Sequence, residues 1–565
     1  MIKTAPVYTT ENECQDCYKC VRHCHCKAIR IVDGKASVIA ENCVACGECV
    51  KVCPSHAKKI RTDLPRLRQL LGTDVKLYAS IAPSFTAYFP GTTIGQLATA
   101  LKKIGFAGVA ETAVGAQTVS CQTADFLKNT NLSIVISSAC PACVDYIRKY
   151  HPKYTANIVP LYSPVMAHCQ MIKEQFGEDC KVVFFGPCAA KKNEADRNPE
   201  TLSLAVTFAV LEELFEENGI TPMAEEESPL FMDKAEEGRF YAIEGGMNDT
   251  LRDDNRGVRY ISVSGLDNLD RMLRFYNGSI GERKIFLEAL ACPGGCINGP
   301  VIPVAYAGGL DIIAETDKIS TMESSSKRNV PNNIKEKFSA ESLPKCNVSE
   351  KELTIALARV GKFTREDELN CGACGYNTCR EFATALLQHK AEEAMCHTYL
   401  RKNFERTSNA LIRFIPAAVV MVDENLNICE CNRNFAMMSG MTEVYDALGN
   451  LNTIAIDNAL PGFSELFSSV ISNGGEIEKF NQKLQDKIVN ISVFSIAHGK
   501  SAGAVIQDIT KNELQREHIA EKAREVIRKN VLTVQQVARL FGEHVADTEI
   551  LLNEIAGSYE RRGGK

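Results

Sequence analysis

The sequence predicts a multidomain α/β protein. Its 565 residues, of which 45% are hydrophobic and 24% charged, are enough for about three or four cores of ordinary domain size. The middle of the chain alternates short apolar runs with helical patterns, which is typical of an α/β domain. Of the 24 cysteines, sixteen fall into four separate motifs. These motifs divide the chain into regions.

Composition and charge exclude two kinds of partner. The net charge of −6 gives no basic excess for binding nucleic acid. No apolar run reaches the roughly 18 residues that a membrane span requires. The start, MIKTAPVYTTENEC, lacks the charged-then-apolar pattern of a signal peptide. We therefore expect a cytoplasmic protein with no nucleic-acid or membrane partner, in which cysteines at C-x-x-C spacing are metal ligands rather than disulfides.

Residues 1–62 contain two cysteine runs with the spacing C-x2-C-x2-C-x3-C, and Pro54 follows the second run. In two-cluster bacterial ferredoxins three cysteines of such a run bind one [4Fe-4S] cubane and the fourth reaches the other cubane. Structural zinc is the alternative, although its ligands have looser spacing. The region resembles the accessory ferredoxin modules of larger redox enzymes, which implies electron transfer. The predicted ligands are Cys14, Cys17, Cys20 and Cys53 for one cluster, and Cys24, Cys43, Cys46 and Cys49 for the other.

A helix is expected at about Leu64 to Leu71, and the central region, 75–345, follows it. Three strand candidates there, SIVISSAC, KVVFFGPC and RKIFLEALAC, end directly at a cysteine. Strands that end at their ligands predict a site at the strand ends of an α/β domain. Gly294 and Gly295 would let the backbone turn closely around a bulky inorganic group. One cubane needs four thiolates, and these segments supply Cys140, Cys188, Cys292 and Cys296.

With the motifs SSACPAC, GPCAAKK and LACPGGC, residues 75–313 resemble the large domain of [FeFe]-hydrogenases. The resemblance implies an H-cluster, which is a [4Fe-4S] cubane joined by one cysteine to a diiron site with CO, CN and dithiolate ligands. Cys296 would be the bridging thiolate with a catalytic role, and Lys191 would donate a charge-assisted hydrogen bond to a cyanide. Pro83 and Ser84 match pocket residues near the same ligand. The alternative for Lys191 is a solvated lysine beside Lys192.

The chain departs from this family in the residues that carry protons. Ala139 stands where active hydrogenases have a cysteine, and an alanine cannot carry a proton. In the stretch AQTVSCQTADF, Gln122 and Thr123 stand where carboxylates are expected, and an amide does not titrate in the useful range. The alternative is that Cys121, Cys143 or water restores the relay. The usual methionines near the second and third motifs are replaced as well, at Gly186 and Leu290.

A polar linker at 321–344 leads to a second compact cysteine motif, predicted as a small [4Fe-4S] domain at 360–402. Its loop, CGACGYNTC, has two glycines for tight turning, and a helical pattern returns the fourth ligand. The spacing resembles small cluster domains of several redox and corrinoid proteins, with zinc as the alternative. The predicted ligands are Cys371, Cys374, Cys379 and Cys396.

Residues 406–512 resemble a PAS domain. FIPAAVVMVDENLNICECNRNFAMMSG predicts two strands around a turn at 423–425 and then a helix, and the region ends in the joining motif DIT. No residue identifies a haem or flavin. Cys429 and Cys431 as a redox pair is an alternative, but we expect their side chains to point to opposite faces of the strand. Residues 513–565 have a helical pattern, predicted to dimerise or to bind a partner; its apolar positions are Ile519, Ala523, Val526, Val534, Val537 and Leu540.

Three functions compete. The first is a sensory [FeFe]-hydrogenase that binds and slowly and reversibly oxidises H2, relays electrons through [4Fe-4S] clusters and signals, as a homodimer, to a downstream kinase or phosphatase. The second is a catalytically competent hydrogenase with a ferredoxin-like redox partner, in which the PAS domain is a scaffold. The third is a binding protein that holds only cubanes. The rebuilt proton relay and the PAS fusion favour the first, and retention of Cys296 and Lys191 argues against the third.

Overall fold

The chain divides into two compact units, Met1–Met395 and Cys396–Lys565. Among the described residues no helix is both long and apolar enough to cross a lipid bilayer. The computed structural model describes residues 5–232, 235–251, 257–276, 283–303, 334–344, 348–484, 487–510 and 522–530.

Two short antiparallel strand pairs form the N-terminal module. Val7 lies opposite Ile60, which brings the two ends of the module together, and Ile29 lies opposite Val38. Both helices are single turns, and each contains the third cysteine of its run. The elements are β1 (Val7–Thr9), α1 (Lys19–Arg22), β2 (Ile29–Val32), β3 (Lys35–Val38), α2 (Glu48–Lys51) and β4 (Lys58–Ile60).

The central region alternates strands and helices, as predicted. The helix expected at Leu64 to Leu71 is present, and it packs on the central core through Leu64 and Leu67. The elements are α3 (Leu64–Leu71), β5 (Leu77–Ile81), α4 (Phe85–Tyr88), α5 (Ile94–Ile104), β6 (Gly108–Glu111), α6 (Ala113–Asn129), β7 (Ile134–Ile136), α7 (Pro141–Tyr150), α8 (Pro164–Phe176), β8 (Lys181–Gly186), α9 (Ala190–Arg197), β9 (Leu204–Thr207), α10 (Phe208–Glu217), α11 (Gly246–Asp249), β10 (Val258–Ser264), α12 (Leu266–Phe275) and β11 (Lys284–Leu290).

These strands form two parallel sheets. One has the order β6-β5-β8-β9 and the other the order β10-β11-β7. Every residue of β5 and β6 is buried, because parallel strands are covered by helices on both faces. The carboxyl ends of β7, β8 and β11 each lead within a few residues to a predicted ligand. Parallel pairing of β7 with β11 brings Cys140 and Cys292 to one end of their sheet, and Cys188 follows β8 of the other sheet.

The second cysteine motif has two helices around its loop. Ser349 and Glu352 form a capping box at the start of the first helix, which fixes where that helix begins. Thr378 caps the second helix by accepting a hydrogen bond from the backbone of Glu381. The helices are α13 (Glu350–Arg359) and α14 (Cys379–Leu387).

The second unit contains a five-stranded antiparallel sheet. Its elements are α15 (His397–Phe414), β12 (Ala418–Asp423), β13 (Ile428–Cys431), α16 (Arg433–Met438), α17 (Thr442–Leu448), α18 (Ile456–Ala459), α19 (Ser464–Asn473), β14 (Glu476–Leu484), β15 (Lys487–Ala497) and β16 (Ser501–Asp508). The sheet order is β13-β12-β16-β15-β14. The predicted turn at 423–425 joins β12 to β13. Cys429 is exposed and Cys431 is buried, which argues against a redox pair. Residues two apart in a regular strand share a face, but the register of β12 against β13 shifts at Cys429.

Asn432 ties α15 to this sheet. Its side chain is fully buried. The side-chain oxygen accepts hydrogen bonds from the backbone N–H groups of Val419 (3.0 Å) and Phe435 (2.9 Å). The side-chain amide donates to the carbonyls of Ile412 (3.0 Å) and Ala417 (2.7 Å). One polar side chain therefore links the last turn of α15 to β12 and α16.

Two predicted segments fall largely outside the described residues. The linker at 321–344 is described only from residue 334, where Lys335 forms an isolated bridge with Leu161. Of the C-terminal helical pattern, residues 522–530 are described and are helical. Ala523 and Val526 lie within them, and the other predicted apolar positions of that pattern lie outside.

Candidate metal centre

A cavity lies where the three cysteine segments of the central region meet. Its empty volume is about 370 Å³. The four cysteines that the sequence predicts for one cubane all line it, and so does one cysteine of the N-terminal module. These are Cys140, Cys188, Cys292, Cys296 and Cys46.

Short connections at the strand ends position the four central thiols. Cys140 is the residue directly before α7. Cys188 lies between β8 and α9, and Cys292 follows β11 by two residues. Gly294 and Gly295 adopt positive φ angles of 76° and 106°, so the turn to Cys296 is as tight as predicted.

The four thiols oppose one another's ionisation. Burial raises the pKa of Cys292 well above its ordinary value, and the charges of Cys296, Cys188 and Cys140 raise it further. Burial likewise raises the pKa of Cys188 to about 11. Thiolates bind iron, and a cationic cluster removes the penalty for ionising several neighbouring thiols. This donor set therefore fits a [4Fe-4S] cubane.

Cys140 is the exception among these thiols. A hydrogen bond from the thiol of Cys143 lowers the pKa of Cys140 to about 6, although burial opposes this. Cys143 is fully buried, and burial raises its own pKa well above the ordinary value. In this arrangement the proton of Cys143 is directed at a predicted cluster ligand. Cys121, the other cysteine considered for a proton relay, is half-buried on α6.

Lys191 is buried, so the solvated alternative is wrong. Its ammonium donates hydrogen bonds to Ser163 Oγ (2.8 Å) and Glu194 Oε2 (2.7 Å). Burial raises the pKa of Cys296, and the positive charge of Lys191 opposes that rise. Lys191 therefore lies close enough to the thiols to favour a negative charge in the cavity, although it is not among the described residues that line it.

Lys192 has a different environment. It is completely buried, and its ammonium donates to Asp63 Oδ2 (2.8 Å) and to the carbonyl of Ala205 (3.0 Å). Asp63 also accepts hydrogen bonds from Arg61 and Arg66. Lys192 thus joins α3 to the central sheet, whereas Lys191 faces the cysteine site.

Pro83 and Ser84 follow β5 and are likewise not among the described residues that line the cavity. Ser84 is fully buried, and its hydroxyl has no hydrogen-bond partner within the described ranges. A buried hydroxyl without a partner costs free energy unless another group satisfies it. Ser84 therefore retains a free polar group that suits a bound ligand.

The residues that depart from the hydrogenase pattern, Ala139, Gln122 and Thr123, lie in partly apolar surroundings. Ala139 is partly buried and packs against the apolar cluster around α6. Thr123 is fully buried, and its hydroxyl has no partner within the described ranges. Gln122 is half-buried on the same helix. None of the three has a side chain that exchanges protons near neutral pH.

Sequence reasoning missed two carboxylates beside this region, the buried Glu288 and the half-buried Glu336. Burial raises the pKa of Glu288 to about 7, and its charge in turn raises the pKa of Cys296. Glu288 accepts hydrogen bonds from the backbone of Met247 and the hydroxyl of Ser262, both at 3.1 Å. Burial also raises the pKa of Glu336 to about 7. Glu288 could have been noticed in the sequence, because it is a carboxylate within the apolar strand RKIFLEALAC.

In the N-terminal module, the pKa shifts indicate which cysteines lie near one another. Burial raises the pKa of Cys20 to about 11, and the cysteine charges that act on it are those of Cys17, Cys14 and Cys53. The cysteine charges that act on Cys49 are those of Cys46, Cys24 and Cys43. Within the described ranges, no group of three or more His, Cys, Asp or Glu side chains is arranged to hold a single metal ion.

The second cysteine motif starts in an exposed loop. Cys371 is exposed, Cys374 is half-buried, and Cys379 is buried at the start of α14. The backbone N–H of Cys379 donates to Asn370 Oδ1 at 2.8 Å, which fixes the end of the loop. Cys396 is buried and directly precedes α15 in the second unit.

Comparison with known families assigns the central region. Residues 75–300 match the family described as "Iron only hydrogenase large subunit, C-terminal domain". Residues 75–300 of the central region are thus similar to the iron-only hydrogenase large-subunit domain. Residues 36–59 match a 4Fe-4S binding domain, and residues 367–397 match an Fe-S cluster family that spans all four cysteines of the second motif.

Individual relatives are distant. Iron hydrogenase 1 of Clostridium pasteurianum is 24% identical over 301 residues, which are 43% of this chain and 52% of that protein. NADP-reducing hydrogenase subunit HndD of Solidesulfovibrio fructosivorans is 24% identical over 354 residues, which are 50% of this chain and 60% of that protein. An apo [FeFe]-hydrogenase from Chlamydomonas reinhardtii is 18% identical and covers 50% of this chain and 100% of its own, with a TM-score of 0.41. The chain thus spans little more than half the length of the two curated relatives.

Glu288 should give the central region a pH-dependent stability. Its pKa is about 7 in the folded chain, against an ordinary value of 4.5. The folded chain therefore binds more protons between these values, and the stabilisation is complete below pH 4.5 and is lost as the pH rises through 7. A difference of this size corresponds to about 3 kcal/mol. Glu288→Gln should remove this loss, as measured by the urea midpoint of iron–sulfur absorbance between about pH 5 and 8.

The control is Glu200→Gln, because the side chain of Glu200 is 91% exposed. This variant should keep the pH dependence of the unmodified chain. An equally steep fall of the midpoint in Glu288→Gln and in the unmodified chain would contradict the assignment of a proton to Glu288.

Proposed function

We propose that the chain is a sensory [FeFe]-hydrogenase. It binds H2, oxidises it slowly and reversibly, relays the electrons through [4Fe-4S] clusters and signals to a partner effector, a kinase or phosphatase. The observation that carries this proposal is the combination of four convergent thiols with Ala139 beside them. All four thiols proposed as H-cluster ligands line one cavity. The group that would carry protons rapidly is missing.

In this proposal Cys140, Cys188 and Cys292 hold the cubane and Cys296 bridges it to the diiron site. When bound, the H-cluster would supply the chemistry that oxidises H2 to two protons and two electrons. Lys191, held in place by Ser163 and Glu194, provides a fixed positive charge for an anionic ligand. Pro83 and Ser84 would lie near the same anionic ligand, as the family resemblance implies.

Proton transfer is the step that this chain slows. A positioned acid or base commonly contributes about 10²–10⁴-fold to a rate. The methyl group of Ala139 and the amide of Gln122 cannot accept a proton near neutral pH. H2 binding does not need these groups, so we expect binding to be retained while turnover is low. A sensor tolerates slow turnover.

The second unit provides a route for the signal. Its antiparallel strand order supports a PAS domain at 406–512. The carbonyl of Cys396, a predicted cluster ligand, accepts the hydrogen bond of Leu400 in the first turn of α15. Near the other end of that helix, the carbonyl of Ile412 accepts a hydrogen bond from Asn432 of the sheet region. A shift of Cys396 on a change of cluster charge would thus reach the sheet, and then the C-terminal helices of a homodimer.

A catalytically competent, ferredoxin-dependent hydrogenase is the second candidate. The observation that favours it is Cys46, which lines the same cavity as the four central thiols. Electrons would pass between this cavity and the N-terminal module without a long gap. The turnover rate distinguishes the two functions.

The deciding experiment compares the unmodified full chain with Ala139→Cys after anaerobic reconstitution with the diiron cofactor. Infrared bands of CO and CN that respond to H2, with turnover that Ala139→Cys raises about a hundredfold, are expected because the new thiol restores a proton carrier. Ala139→Val is the control, since it adds volume without a titratable group, and should stay slow. Rapid turnover in the unmodified chain would favour the second candidate, and bands that do not respond to H2 would contradict both.

The two adjacent lysines should differ in their effects. Lys191→Met should shift the cyanide bands, because it removes the proposed hydrogen bond. Lys192→Met should leave these bands in place and lower the free energy of unfolding by about 3 kcal/mol, because Asp63 loses a buried partner. Infrared spectra and urea unfolding of both variants measure this. Equal band shifts in the two variants would contradict the assigned role of Lys191.

A further inference from the structure

The loop of the second cysteine motif lies directly against the first cysteine run of the N-terminal module. The ammonium of Lys27 donates hydrogen bonds to the carbonyl of Gly375 (2.7 Å) and to that of Val21 (3.3 Å). Arg22 donates to the carbonyl of Ala373 at 3.4 Å. Lys27 thus joins two cysteine loops that are about 350 residues apart in sequence.

A second set of contacts fixes the same two parts of the unit. The backbone N–H of Ile31 donates to the carbonyl of Lys390 at 3.0 Å. The carboxylate of Glu392 accepts hydrogen bonds from the backbone of Asp33 (2.5 Å) and Gly34 (3.4 Å). Because these contacts lie on strand β2 and its turn, away from the cysteine loops, the docking has two separated anchors and a defined orientation.

The ligand of the N-terminal module at this contact is Cys24. The backbone N–H of Ala28, next to Lys27, donates to the thiol of Cys24 at 3.3 Å. The ammonium of Lys27 lies 5.8 Å from the ring centroid of Tyr376, two residues after Cys374. The contact between Lys27 and Tyr376 therefore joins the segment of Cys24 to the segment of Cys374.

Cys24 belongs to the group that also faces the central region. Cys46 of this group lines the central cavity, and its charge raises the pKa of Cys292, which burial has already raised. On that side Lys149 donates to the carbonyls of Glu41 (2.7 Å) and Cys43 (3.1 Å). One predicted cluster thus has the central cavity on one side and the CGACG loop on another.

We infer that the cluster held by Cys24, Cys43, Cys46 and Cys49 is a branch point of the electron relay. It exchanges electrons with the central cavity through the Cys46 side and with the second-motif cluster through the Cys24 side. The cluster held by Cys14, Cys17, Cys20 and Cys53 then forms a separate branch. The inference rests on the proposed function for the source of electrons, since each H2 oxidised yields two electrons and two protons.

Each step on the branches moves one electron. The donor cubane is oxidised by one electron and the acceptor cubane is reduced by one electron. Two successive transfers therefore carry away both electrons of one H2. Tunnelling rates fall steeply with distance, which makes the docking contact the determinant of the branch. The branch through Cys24 leads to the motif whose predicted fourth ligand, Cys396, precedes α15. The branch through Cys14 is left for a soluble redox partner, so signalling and electron removal use different clusters.

Two glycines of the CGACG loop provide a matched test. Both have positive φ angles, 92° at Gly375 and 73° at Gly372, so alanine strains the backbone at either position. A Cβ at Gly375 would lie 2.8 Å from Val21 Cγ1 and 3.1 Å from the nitrogen of Arg22, whereas a Cβ at Gly372 would meet its nearest atom at 3.9 Å. Gly375→Ala therefore pushes the loop off the N-terminal module, and Gly372→Ala does not.

The experiment is electron paramagnetic resonance of the full chain, reconstituted anaerobically with cubanes but without the diiron cofactor, and fully reduced. Reduced [4Fe-4S] clusters are paramagnetic, and neighbouring ones split each other's signals. The splitting that involves the second-motif cluster should narrow in Gly375→Ala and keep its width in Gly372→Ala, with equal iron content in both. It should also persist when Cys14→Ala and Cys17→Ala together remove the outer cluster.

Equal splitting in the two glycine variants would overturn the inference, and so would loss of the splitting on removal of the outer cluster. If the double cysteine variant does not fold, the comparison of Gly375→Ala with Gly372→Ala is sufficient to test the inference. The samples contain no diiron cofactor, so failure here is distinct from failure of the H2 response.

Discussion

The central constraint in this chain is the mutual opposition of buried thiols around one cavity. Burial and the charges of its neighbours hold the pKa of Cys292 well above the ordinary value, so the four thiols cannot all ionise unless a cation accepts them. The two parallel sheets keep the thiols together, because three of their strands each end close to a predicted ligand. The α/β fold, the glycine turn before Cys296 and the buried charge of Lys191 all serve this one arrangement.

The residues around this cavity also determine which routes are open to electrons and to protons. Electrons have a short route, because Cys46 lines the cavity and Cys24 of the same group lies at the docked CGACG loop. Protons lack the usual route, because Ala139 and Gln122 replace titratable groups. In the proposed function, a site with a short electron route and slow proton transfer would be suited to reporting H2, and α15 would connect the predicted ligand Cys396 with the sheet.

The sequence predicted local features well and long-range ones poorly. The two ligand groups of the N-terminal module follow from cysteine spacing, and helix Leu64–Leu71 and the strand ends follow from hydrophobic patterns. The different environments of Lys191 and Lys192 could not be predicted from two adjacent lysines in the sequence. They depend on Ser163 and Asp63, which are distant in sequence. The docking of Lys27 on Gly375 and the raised pKa of Glu288 were missed for the same reason.

The measurement that tests the central claim most directly is an anomalous-diffraction map, recorded at the iron edge, of crystals of the anaerobically reconstituted chain. The account predicts a compact iron cluster within bonding distance of Cys140, Cys188, Cys292 and Cys296, with further iron beside Cys296. Iron in the N-terminal module and at the second motif, with none in the central cavity, would contradict it.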